Sequence, residues 1–172
     1  MKPTPSIIIS CEPRATVSFA SKFSAIVNVA DSPCQLFTAD VPVFWFPVQE
    51  TGRWGYAPFY GTAKVLDHLA EFGLSKPVLV HCHGGVNRSP TIVYAVLASN
   101  GMSEEWFDQH FPIYGKGGMR AIYEENVARG CVEPDTIEFL EARHQHPDSS
   151  IVGLLKECGS LNIFHPGFKV VT

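Results

Sequence analysis

The run His81-Cys82-His83-Gly84-Gly85-Val86-Asn87-Arg88-Ser89-Pro90 constrains this chain more than any other stretch of it. It is bracketed by two apolar segments of different character. Pro77-Val-Leu-Val-His81 is short and β-branched, the pattern of a buried strand. Thr91-Ile-Val-Tyr-Ala-Val-Leu-Ala98 lacks Gly and Pro and has the length of a buried helix. The intervening loop therefore leaves a strand end and enters a helix start. Such a loop aims consecutive backbone N–H groups, and the positive end of the helix dipole, into one small volume. That volume is an anion site.

The residue types inside the loop indicate its chemistry. N–H groups from His83, Gly84, Gly85, Val86, Asn87 and Arg88 can cradle the oxygens of a phosphate. Arg88 adds a planar two-pronged contact that a Lys would not reproduce. The same field favours a thiolate at Cys82, below the free-thiol pKa of about 8.5. A thiolate held against a phosphate ester can attack phosphorus and divide hydrolysis into two easier steps through a covalent phosphocysteine. Gly84 and Gly85 leave room for the chain to wrap closely around the anion. Ser89 can donate to the sulfur as it leaves, and His81 fixes the loop through hydrogen bonds. Two blander readings of the same residues exist. Cys82 could be a buried thiol beside a turn, and His81, Cys82 and His83 could bind a metal. Neighbours on an extended strand point to opposite faces, and no second Cys/His cluster has ligand spacing, which weighs against the metal.

His81-Cys82-x-x-Gly85-x-x-Arg88-Ser89 resembles the signature loop of the cysteine-based protein tyrosine phosphatases, in particular their small dual-specificity branch. The resemblance covers roughly residues 6–112. It implies Cys82 as nucleophile, Arg88 as phosphate clamp, and no metal or organic cofactor. It also implies a general acid on a loop about 30 residues upstream, normally an Asp. Glu50 occupies that place, 32 residues before Cys82, at the end of the apolar run Val43-Phe-Trp-Phe-Pro-Val48. A Glu carries the same group on one more methylene; the alternative is a solvated loop carboxylate. Asp31 and Asp40 are poorer candidates, because each precedes the strand over 44–48. The segment Arg53-Trp-Gly-Tyr-Ala-Pro-Phe-Tyr60 brings four aromatics just beyond Glu50. They either rim the pocket for a phosphotyrosine ring or pack their loop onto the domain.

The rest of the chain fits one domain over residues 1–172, with an α/β core at 6–112 and a helical extension at 113–172. A length of 172 residues at 45% apolar content suffices for one core. Strands are expected at 6–10, 24–29, 44–48 and 77–82, in a mostly parallel sheet of about four or five strands flanked by helices. Helices are expected at 58–72, 88–99, from the Ser103 cap to near Phe111, and at 118–129, 136–143 and 150–158. Asp135-Thr-Ile-Glu138 fits a capping box, and Gly73 and Gly159 fit helix stops. His144-Gln-His146 reads as a polar loop.

Five Cys at irregular positions (11, 34, 82, 131, 158) suit a reducing, cytoplasmic setting rather than a disulfide framework. No stretch has the length for a membrane span or a secretory leader. The net charge of −4, with no Lys/Arg run, disfavours nucleic acid as a partner. No Lys stands in the loop to recruit a polyanionic inositol phosphate, so the expected partner is a phosphoprotein. The compact chain shows no long insertion to deepen the cleft, so phosphotyrosine, and with it phosphoserine and phosphothreonine, are the expected substrates. An RNA 5′-phosphatase or a small phosphoester hydrolase is an alternative, because Gly-x-Asn-Arg also occurs in that branch. So is a non-catalytic phosphate binder, if the Glu at position 50 marks lost turnover. The oligomeric state is not legible from the residues.

Overall fold

In the computed structural model the described residues are 6–11, 21–33, 41–71 and 76–142. Asp40, Cys34, Gly73, His144, His146 and the helix expected over 150–158 lie outside them. Among the described residues, four short strands form one sheet: β1 (Ile7–Ser10), β2 (Ala25–Asn28), β3 (Val43–Trp45) and β4 (Val78–His81). All pairings are parallel, in the order β1-β4-β2-β3. β4 and β2 are therefore the inner strands, and every residue of both is buried. Their alternating side chains go to different faces, as a pleated strand requires. Ala25, Val27, Val78 and Val80 join one apolar cluster with the helices, whereas Ile26 and Leu79 join another with Phe23, Val41 and Val43.

The helices among the described residues are α1 (Ala57–Glu71), α2 (Arg88–Ser99), α3 (Glu104–His110), α4 (Gly118–Ala128) and α5 (Thr136–Ala142), with a 3₁₀ turn at Pro112–Tyr114. Helix α2 is the hub: it packs against α1, α4 and α5, and eleven of its twelve residues are buried. That is why its sequence is apolar all round rather than striped. Ser103 caps α3, its hydroxyl accepting from the Trp106 N–H at 3.2 Å. Asp135 precedes α5, its carbonyl accepting from the Phe139 N–H at 2.9 Å. The architecture is the expected α/β sheet followed by helices, with four strands among the described residues.

Two departures have local causes. The strand expected over 44–48 ends at Trp45. Pro47 has no N–H for a ladder, and the Val48 carbonyl is turned to a side chain instead of a neighbouring strand. Helix α1 starts at Ala57, so Pro58 falls in its first turn, where a missing N–H costs nothing.

The register matters most for function. Ser10 and Asn28 both pair with His81, and Trp45 pairs with Asn28. The four strands thus end on one line, and four loops leave the sheet from the same edge. Ligand sites in parallel α/β sheets form at that carboxyl edge.

Candidate active site

Cys82 follows the last residue of β4 and is 2% exposed. Its Sγ lies 3.2 Å from the Ser89 hydroxyl and accepts the Gly85 N–H at 3.3 Å. Burial pushes the thiol pKa up, as it does for any group that must ionise. The Ser89 hydroxyl and N–H, the Gly85 N–H and the Arg88 charge act the other way and prevail, so the pKa falls below its ordinary value. Four donors and charges converging on one sulfur are what a nucleophile needs and a filler thiol does not.

The loop holds this shape for reasons that can be named. Gly85 takes φ +67°, and a methyl there would come within 2.8 Å of the Cys11 nitrogen at the end of β1. Only glycine meets both demands. Gly84 is different: it has an ordinary φ, and the nearest atom to a methyl would be Val86 Cγ2 at 3.6 Å. The backbone thus demands glycine at 85 and makes no such demand at 84. His81 is fully buried, with Nδ1 3.2 Å from the Cys82 carbonyl. Val86 is exposed on the loop crest.

Arg88 opens α2 and is 4% exposed. Its Nη1 donates to the Val48 carbonyl at 2.8 Å and to Asp31 Oδ1 at 3.2 Å. The helix start carries no side-chain cap from Asn87, which leaves its N–H groups to an anion. Asn87 turns instead toward α4. Its side-chain oxygen accepts from Asn126 Nδ2 at 2.7 Å, and the same Nδ2 reaches Thr91 Oγ1 at 2.9 Å. The Thr91 hydroxyl in turn donates to the Asn87 carbonyl at 2.6 Å. The Asn87 side chain is thus a strut for the loop, and its part in an anion cradle falls to its backbone.

Glu50 stands exposed two residues after Val48, whose carbonyl touches Arg88, so its loop passes beside the pocket. That loop is fastened downstream. Arg53 pairs with Glu133, Trp54 N–H donates to the Cys131 carbonyl at 2.8 Å, and the Tyr56 hydroxyl donates to Asp135. The Asp135 carboxylate keeps the proton on Tyr56, raising its pKa to about 12. Tyr56 also stacks on Phe139 with ring centres 4.1 Å apart, and Trp54 and Phe59 are buried. Of the two roles open to these aromatics, Trp54, Tyr56 and Phe59 fill the packing one.

Three residues at the site were not expected from sequence. Asp31 precedes β3 in sequence, but it lies three residues beyond β2, and β2 ends level with His81. Its Oδ1 binds Arg88 and, at 3.0 Å, His83 Nε2. The Arg88 hydrogen bond is the main cause holding the Asp31 carboxyl below the ordinary carboxylate range. Tyr114, in the 3₁₀ turn, donates its hydroxyl to the Gly85 carbonyl at 2.7 Å. Burial and then the Cys82 thiolate push its pKa up to about 12, so it stays a donor. Asn126 is the third, through Asn87. The rule that parallel strands gather their loops at one edge could have found Asp31. No local signal marks Tyr114 or Asn126. The rings of His81 and His83 engage different partners, and among the described residues no group of three His, Cys, Asp or Glu could hold a metal ion.

No family model and no curated protein matches this sequence. Solved structures do. The structure of human DUSP28 superposes with a TM-score of 0.51 at 18% identity, covering 82% of this chain and 94% of that one. P. aeruginosa TpbA, in a complex with pTyr, gives a TM-score of 0.53 at 18% identity, over 83% and 88%. The chain has the fold of the cysteine-based tyrosine and dual-specificity phosphatases.

Proposed function

We propose that this chain is a cysteine-dependent phosphatase that hydrolyses phosphotyrosine in proteins, and phosphoserine and phosphothreonine with it. One observation carries the reading: Ser89, Gly85 and Arg88 converge on the Cys82 sulfur and favour its ionised form. A site that only bound phosphate would gain nothing from a thiolate, which repels the anion.

In this mechanism the loop amides and Arg88 hold the three non-bridging oxygens. Cys82 attacks phosphorus in line; the S–P bond forms as the P–O bond to the leaving group breaks. Glu50 gives its proton to the departing oxygen. Water then attacks the phosphocysteine, Glu50 takes up the water proton, and the S–P bond breaks to return the thiolate. Ser89, 3.2 Å from the sulfur, donates to it as it leaves. Electrostatic stabilisation by amides and guanidinium is the largest contribution, because the donors already point at the charge. His81 and Tyr114 act on the loop: the first reaches the Cys82 carbonyl, the second the Gly85 carbonyl. His83, Gly84, Gly85, Val86 and Asn87 contribute backbone to the cradle.

The test is phosphate release from phosphotyrosine, phosphothreonine, phosphoinositide and triphosphorylated RNA substrates, with Cys82→Ser as control. Release from the first two that vanishes in Cys82→Ser supports the reading, as would inhibition by vanadate and indifference to chelators. Phosphopeptide binding that is equal in both proteins, with no phosphate released by either, overturns it.

A further inference from the structure

The site carries a carboxylate where an anion cradle has no evident use for one. Asp31 Oδ1 sits 3.2 Å from Arg88 Nη1, and the Asp31 side chain is 50% exposed whereas Arg88 is 4% exposed. The carboxylate therefore stands between the buried guanidinium and solvent. Nor is its place accidental. The turn that bears it is fixed by Asn28, whose Oδ1 accepts the Ala30 N–H at 2.8 Å and whose Nδ2 donates to the Ser32 carbonyl at 2.8 Å. Trp45 Nε1 holds the Ala30 carbonyl at 2.9 Å, and Val29 N–H reaches the His81 carbonyl at 2.9 Å. His83 Nε2 reaches Asp31 Oδ1 at 3.0 Å and the Ser32 hydroxyl at 3.1 Å, joining the turn to the phosphate loop.

This arrangement has two electrostatic consequences. Arg88 is oriented by a partner that takes one nitrogen and leaves the rest of the guanidinium for phosphate. In addition, a carboxylate borders the pocket: its ion-pair partners are His83 and the Arg88 guanidinium that the bound phosphate also uses, and no Lys stands in the loop. A monoester whose remainder is neutral brings only the scissile phosphate near that carboxylate, and the two share the Arg88 guanidinium. A substrate with a second phosphate beside the first places it next to the carboxylate. Building on the phosphatase reading above, we infer that Asp31 is a specificity-determining residue that excludes substrates bearing a second anionic group next to the scissile phosphate. The substrate class that remains is the isolated phosphomonoester, such as a phosphotyrosine with no phosphorylated neighbour.

Binding of two peptides tests this, measured on Cys82→Ser protein with Asp31 intact or replaced by Asn. One peptide carries a single phosphotyrosine; the other carries an added phosphoserine beside it. Asn is isosteric and still accepts from Arg88, so the loop is preserved; Asp31→Ser is the second variant, and circular dichroism checks both. The expected result is that Asp31→Asn improves the affinity for the doubly phosphorylated peptide, relative to the single one, by about tenfold at low salt. The gain should shrink as ionic strength rises. Equal changes for both peptides would mean that Asp31 only orients Arg88, and would overturn the inference, as would failure of the doubly phosphorylated peptide to gain affinity in Asp31→Asn or of the singly phosphorylated peptide to bind the protein with Asp31 intact. Phosphate release by the enzyme with Cys82 intact is read separately. A shifted binding ratio without release removes the phosphatase reading and leaves the charge selectivity standing; release without a shifted ratio does the reverse.

Discussion

A methyl group at position 85 would press on the Cys11 nitrogen and the Ser10 carbonyl carbon, each 2.8 Å away, at a φ of +67°. Both contacts are backbone, so neither can swing aside. Gly85→Ala should therefore displace the loop that holds the sulfur. We expect a loss of kcat/KM on the order of 100-fold, the penalty of misplacing a reacting group by about 1 Å. Gly84→Ala, with no such contact to the protein, should lower the melting temperature far less than Gly85→Ala does, and thermal melting of the pair reads the contrast. The sulfur itself offers a second test. Because its pKa is lowered, the thiolate persists at pH values where an ordinary thiol is protonated. Alkylation of Cys82 by iodoacetamide should thus titrate with a midpoint below that of a free thiol, about 8.5, and the midpoint should move up in Ser89→Ala. Asp31 supplies a third. Its folded-state pKa is depressed, so its contribution to stability is present above the ordinary carboxylate value and fades as pH falls through the lowered one. The difference in melting temperature between wild type and Asp31→Asn should therefore close on acidification below about pH 4. An unchanged difference would mean that the Arg88 pair contributes nothing to folding.

Among the elements, the loop after β3 shows how the place of the proposed acid can depend on a distant helix. Glu50 lies three residues before Arg53, and from Arg53 onward the loop is fastened to residues 131–139 by an ion pair, two hydrogen bonds and the Tyr56–Phe139 stack. An aromatic pair of this kind is worth about 0.5–1.5 kcal/mol. Phe139→Ala should loosen the loop more than it destabilises the domain. If Glu50 is the acid, both Phe139→Ala and Glu50→Gln should slow hydrolysis of alkyl phosphates far more than that of activated aryl phosphates. Equal slowing on both substrates would remove Glu50 from the mechanism. Helix α4 plays a comparable part for the phosphate loop, since Asn126 holds the Asn87 side chain from behind. The elements themselves were legible because their periodicities are strong, as in the unbroken apolar run of α2. The end of β3 was not, because Pro47 and the Arg88 contact override an apolar pattern that continues to Val48.

Across the whole molecule, the sheet and α2 form the platform on which everything else is aligned. Leu97 in α2 is fully buried in the cluster that joins sheet and helices, so Leu97→Ala should cost about 2–5 kcal/mol and lower the melting temperature measurably. Among the described residues no helix is long and apolar enough to cross a membrane. The α/β class, the strand–loop–helix around Cys82 and the grouping of Cys82, Arg88 and Ser89 were all readable from the chain alone. Each rests on residues within one short window, where local geometry and residue chemistry suffice. The places of Asp31, Tyr114 and Asn126 were not readable, because these residues lie 51 positions before and 32 and 44 positions after Cys82. What brings them in is the parallel register that levels Asn28 with His81, and the packing of the C-terminal helices onto α2. Local sequence can specify a cysteine and the loop that wraps it; the charges and struts around them come from segments that meet only when the sheet is assembled.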